Sequence, residues 1–210
     1  MRAKKGHGMV KHNKSTLTAR IRQVFATQEY PGDENLVCDH SSDDLELVEL
    51  ATVFRGKHWA DIPPQLLEYH CSVLSFFTAQ AFRYYLPAFM LGYINHYEIL
   101  DNVSFFLISH LTCPDRSDWE VTQGWSEKTI ESMPEQIKDM MRKIKRDLRD
   151  LLEEQGGIET VDTQQRVWFM KRVEGFSREE KAVIREFLEY ARDNGDMDAS
   201  RALESYWESV

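Results

Sequence analysis

The chain has little of what would assign it a reaction. It lacks a GxxxxGK[ST] loop, a GxGxxG turn, an HExxH helix and a GxSxG elbow, so the usual phosphate cradles, zinc-hydrolase helices and nucleophile elbows are absent. It has no uninterrupted apolar run of about 20 residues, the length needed to cross a bilayer. The longest candidate, 79–94, contains Arg83, Pro87 and three tyrosines. The start, MRAKKGHGMVKHNK, is basic with no apolar stretch behind it and does not fit a secretory signal. Cysteine is scarce: there are three, an odd number. Together these features place the chain in the cytoplasm, with its thiols reduced.

Charge is plentiful and unevenly divided. Residues 1–30 hold seven Lys/Arg and one acid, whereas the remainder holds 19 basic and 34 acidic residues. A body that acidic repels phosphate backbones, so the folded part is not expected to bind nucleic acid. Residues 1–14 read as a basic, flexible arm. With 42% hydrophobic residues over 210 positions, residues 15–210 have enough apolar material for one compact domain.

Periodicity predicts helices almost throughout. Leu17, Ile21, Val24 and Phe25 recur at helical spacing near 16–27. Asp43 or Ser42 is placed to cap a second helix, with Leu45, Val48 and Thr52 on one side and Leu47, Leu50 and Phe54 beside them; Gly56 stops it. Pro64 suits the first turn of a short helix, 64–69. Asn102–Leu111 is apolar, and Thr112–Gly124 reads as a polar connection. Ser132 and Glu135 give a capping-box pattern before an amphipathic helix, 133–154, which ends at Gly156-Gly157. Ser177 and Glu180 repeat that pattern before Val183, Ile184, Phe187 and Leu188. Ala199, Ala202, Leu203, Tyr206 and Trp207 form a last stripe. Leu36–Cys38 and Ile158–Val161 are the short strand candidates, and neither alternates over enough residues.

The most distinctive segment is Thr78–Tyr93, TAQAFRYYLPAFMLGY. Arg83 is its one ionic residue, and Pro87 lies inside it. Proline removes the donor that the Arg83 carbonyl would use and pushes its ring against that turn, so a bent, central helix is expected. A buried arginine is nearly always paired. Arg83 is therefore expected to pair with an acid from another helix, the alternative being a clamp for an anion. Tyr84, Tyr85 and Trp59 read as core and subsurface aromatics.

Other constellations are thin. Cys38-x-His40 and His110-x-x-Cys113 offer zinc-type ligands, but nothing local brings them together, and no metal or cofactor is expected. His70 precedes Cys71, yet sequence neighbours point around different sides of a helix.

Three segments together resemble an uncharacterised, mostly bacterial all-helical domain family of unknown function. They are FRGKHWADIP around Trp59, the octet AFRYYLPA with Phe82, Arg83, Tyr84, Tyr85 and Pro87, and the pair FSREEKAVIREFLEYA and ASRALESYW with Trp207. The resemblance spans roughly 17–208; relatives more often carry proline and glutamate where this chain has Ala79-Gln80. It implies an all-α fold in which these motif residues are structural, and it carries no catalytic residues over. Members look like small acidic proteins encoded beside polymorphic toxins, which implies an immunity-type role. The expected function is accordingly non-enzymatic binding of a protein partner, a toxin with a basic surface, through Asp33, Glu34, Asp43, Asp44, Glu46 and Glu49. The alternative expectation is an enzyme or small-ligand sensor with an anion site around Arg83.

Overall fold

In the computed structural model, which describes residues 13–38, 45–98, 100–123 and 126–210, the all-α expectation is borne out. Twelve α-helices are found among the described residues: α1 Lys14–Val24, α2 Leu45–Phe54, α3 Pro64–Tyr69, α4 Val73–Phe76, α5 Ala79–His96, α6 Asp101–Leu111, α7 Arg116–Gln123, α8 Glu127–Glu131, α9 Glu135–Glu154, α10 Ile158–Glu174, α11 Arg178–Asp193 and α12 Met197–Ser205. The described residues contain no strand; one isolated bridge pairs Val37 with Phe77. None of the described helices is long and apolar enough to cross a membrane. The basic arm lies almost wholly outside the described residues, as do Ser42, Asp43 and Asp44.

The chain divides into two compact units. The first runs up to Thr112 and resumes at Arg172–Val210; the second is Cys113–Lys171. The first unit is organised around α5, which packs against α1, α3, α6 and a 3₁₀ turn at Trp59–Asp61. Thr78 caps α5 by accepting the Ala81 N–H at 3.1 Å. From Tyr84 to Ile94 every residue of α5 is buried, which is what a helix apolar all round requires. The helix continues through Pro87. α11 packs on both α1 and α12, and α12 on α6. Their buried faces carry Val183, Ile184, Phe187 and Leu188 from α11 and Ala199, Ala202 and Leu203 from α12. Helix α12 ends at Ser205, and Trp207 opens a separate 3₁₀ turn, Trp207–Ser209, that returns its indole to the core.

In the second unit three sequence expectations change. The segment expected as a polar connection contains α7. Asp115 accepts the Ser117 N–H at 2.8 Å while its own N–H donates to Asp118 at 3.1 Å, and Arg116 pairs with Glu120 one turn on. These local bonds start a helix without an apolar stripe. Ser132 does not cap α9. It closes α8, its hydroxyl donating to the Thr129 carbonyl at 2.7 Å, and Pro134 takes the cap position of α9 with no side-chain bond. Ile158–Val161 begins α10, a long helix whose apolar residues are too scattered to read as one face. Gly156 and Gly157 do end α9, both at positive φ, as a helix-terminating turn requires.

Candidate functional site

Arg83 projects from α5 onto Glu180 in the first turn of α11. Its Nη2 donates to Oε2 at 3.0 Å and to Oε1 at 3.2 Å, and its Nε to Oε1 at 3.3 Å. Glu180 also closes the capping box of α11. Its Oε2 accepts the Ser177 N–H at 2.6 Å, and the Ser177 hydroxyl accepts the Glu180 N–H at 3.2 Å. Gln28 donates to Oε1 at 2.6 Å. The pair has the polarity of burial opposite to that expected: the Glu180 side chain is 4% exposed and that of Arg83 39%. Burial alone would raise the Glu180 carboxyl. The Ser177 amide, Gln28 and Arg83 outweigh it and hold the group below its ordinary value. One carboxylate thus fastens α11 to α5 and to the residues after α1.

The other motif residues are built into the core. Tyr85 donates to the carbonyls of Phe54 and Lys57 at 2.6 and 3.0 Å and stacks on Phe77 at 5.1 Å, so it holds the end of α2 against α5. Tyr84 meets Tyr85 edge to face at 4.9 Å and Tyr30 at 5.6 Å. The Trp207 indole N–H donates to the Leu111 carbonyl at 2.6 Å. Phe82, Pro87 and Trp59 are buried.

Sequence reasoning missed Arg172, which is 2% exposed. Its Nη2 donates to the Phe77 carbonyl at 2.9 Å and the Ser75 carbonyl at 3.4 Å, and its guanidinium lies 4.6 Å from the Phe82 ring centre. His110 joins this cluster: Nδ1 is 3.5 Å from Arg172 and Nε2 is 3.1 Å from the Ser75 hydroxyl. A serine beside a histidine invites comparison with a nucleophile and its base, but the third partner decides against it. A guanidinium offers only donors, so the Nδ1 that faces it keeps its lone pair and the proton of the neutral ring sits on Nε2. That N–H donates to Ser75 and has no lone pair with which to take the hydroxyl proton. Burial, then the charge of Arg172, lowers His110 to about 3, so the ring stays neutral. Burial lowers Arg172 to about 9, which leaves it a cation at neutral pH. No signal short of the tertiary fold assembles these residues, because they come from α4, α6 and α10.

The cysteines are not activated. Burial raises the thiols of Cys38, Cys71 and Cys113 above their ordinary value, which reduces the thiolate needed for attack. His40 lies outside the described residues, and among those described no group of three or more His, Cys, Asp or Glu is placed to hold a metal.

Of the six acidic residues expected to meet a partner, Asp43 and Asp44 lie outside the described residues. Asp33 accepts from Tyr30 at 2.7 Å and sits 3.5 Å from Arg55, just past the end of α2. Glu34 neighbours it in an exposed 3₁₀ turn, Asp33–Asn35. Glu46 and Glu49 lie in the first half of α2, and nine residues of helix place Glu46 about 13 Å along the axis from Arg55. What α2 does present is a mixed surface. Leu47, Leu50 and Phe54 face the core, while Leu45 is 81% and Val48 46% exposed alongside the exposed Glu46 and Glu49.

No curated protein and no solved structure matches this chain. A family model described as a family of unknown function matches residues 13–127, which takes in FRGKHWADIP and AFRYYLPA and ends before the two C-terminal helices of the resemblance. The chain belongs to that family of unknown function, DUF6714.

Proposed function

We propose that this chain is a non-enzymatic, cytoplasmic binding protein of the immunity type, which neutralises a cognate bacterial toxin by protein–protein contact. The observation that carries the reading is the outer face of α2, where exposed Leu45 and Val48 stand beside exposed Glu46 and Glu49. Apolar side chains left in water next to acids suit a basic partner: the leucine and valine supply desolvated contact, and the carboxylates steer the encounter. The net charge of −9 favours such a partner over phosphate backbones. The alternative, an enzyme or anion sensor centred on Arg83, has less support because Glu180 already occupies that guanidinium.

The test is association with toxins encoded next to this gene, followed over a salt series. Steering fades beyond a Debye length of about 8 Å at physiological salt, so the association rate should fall as salt rises while dissociation changes less. Reversing Glu46 and Glu49 to lysine should slow association, and Leu45→Asp with Val48→Asp should speed dissociation, with the fold unchanged in both. The same contrast applies to Asp43→Lys with Asp44→Lys. Equal rates for wild type and all three variants would remove this surface from the reading. Failure to bind any such toxin would remove the reading itself.

A further inference from the structure

α9 is amphipathic along its whole length, yet of its residues only Leu152 is buried. On one side of it lies α8, where Lys138 and Arg142 pair with Glu131. The opposite side carries Met140, Ile144 and Leu151, which are 53%, 36% and 48% exposed. Spacings of four and seven put these three on one line of a helix, about 17 Å long. Asp147 fills the turn that the line would otherwise skip. The rim of the line is charged and unpaired. Lys143, Asp147 and Glu154 flank it, and among the described residues none of these three side chains makes an ion pair or a hydrogen bond. Lys143 and Asp147 stand one turn apart in the less favourable order, with the cation nearer the N-terminus.

These residues complement themselves. When a second α9 is laid antiparallel on the first, Lys143 meets Asp147, Met140 meets Leu151, and Gln136 meets Glu154, each pairing occurring twice. All three pairings are centred at one height on the helix, that of Lys145, so a single two-fold axis satisfies them together. A parallel pairing would instead set this rim against the flank that α8 already occupies. We propose that a second copy of this chain covers the exposed line of α9, in an antiparallel pairing of α9 with α9 held by reciprocal Lys143–Asp147 ion pairs. One helix face falls below the roughly 800 Å² per partner of a standard interface, so the dimer is weak, with a dissociation constant of about 10–100 µM. The proposal is independent of the toxin-binding reading, and no toxin enters its test.

The experiment is sedimentation velocity on the full chain from about 1 to 300 µM, across the expected dissociation constant. The average mass should rise from that of one chain toward that of two. Ile144→Glu should hold it at one. Lys143→Asp and Asp147→Lys should each weaken association by at least about tenfold, because each sets like charges against one another across the axis. An equimolar mixture of these two variants should associate within about threefold of wild type, since the pairing of unlike chains restores both ion pairs. The substituted side chains are exposed, so circular dichroism should show the same helix content in every variant. A mass of one chain throughout overturns the proposal and leaves the line to a different partner. Association that survives Ile144→Glu, or that is lost in Leu45→Asp with Val48→Asp, moves the interface away from α9 and overturns it as well. A mixture that stays monomeric refutes the antiparallel register.

Discussion

Mild acid should weaken this protein through His110, and the size of the effect follows from the packing around it. Burial and the charge of Arg172 keep the ring neutral in the folded state down to about pH 3. Once the chain unfolds, the ring is free to take a proton at its ordinary value of about 6.5. Between those two values the unfolded state binds the extra proton, so stability falls as pH falls, by roughly 1.4 kcal/mol for each unit well below 6.5. From pH 7.0 to 5.5 the integrated loss from this one group is about 1.2 kcal/mol. With a urea dependence of about 2 kcal/mol/M, the unfolding midpoint should drop by roughly 0.6 M more in wild type than in a variant that cannot titrate at this site. His110→Asn is that variant, since its carbonyl oxygen can still face Arg172 while no ionisable ring remains. It should be less stable at neutral pH, because it leaves space beside Ser75. The informative quantity is the pH dependence. The remaining histidines are common to both proteins, and few carboxylates titrate in this window, so the difference in slope isolates His110. Equal slopes would refute a buried neutral imidazole beside a buried guanidinium.

Four further outcomes follow from the helix ends and the α5 contacts. Ser177→Ala should lower stability by about 1 kcal/mol while Ser132→Ala changes it by less than about 0.5, in thermal melts, because the Ser177 hydroxyl caps the N-terminus of α11 whereas Ser132 sits at the exposed C-terminal end of the short α8 and caps no helix N-terminus. Arg83→Ala should cost about 1–3 kcal/mol, less than a fully buried pair because Arg83 is partly solvated. Combined with Glu180→Gln it should cost less than the sum of the two, and a purely additive cycle would show that the two side chains do not interact. Since the Glu180 carboxyl is lowered by folding, its contribution is present above about pH 4.5 and lost as pH falls through the folded value, so Glu180→Gln should flatten that acid limb. Tyr85→Phe should cost about 1–2 kcal/mol by leaving the Phe54 and Lys57 carbonyls without their hydroxyl donor. An unchanged midpoint would show that water replaces it.

The sequence by itself determined what depends on neighbours along the chain. Leu17 and Ile21 in α1, the Ser177–Glu180 box and the Gly156-Gly157 stop are all local arrangements, and each lies where its spacing places it. The near absence of charge from 84 to 94 likewise fixed that α5 would be enclosed. Local reasoning misplaced Ser132 because two helices compete for that residue, and the proline at 134 took the cap of α9. It missed α7 and α10 because neither shows a single apolar stripe. Only the tertiary structure decided which acid meets Arg83, since 97 positions separate it from Glu180. It also decided that Arg172 would lie against His110, and that Leu45 and Val48 would face water while Leu47 and Leu50 face the core. A helix with apolar residues on two sides can bury either one. Which side goes inward is set by the surfaces that other helices bring to it, and side-chain spacing along one segment carries no record of those.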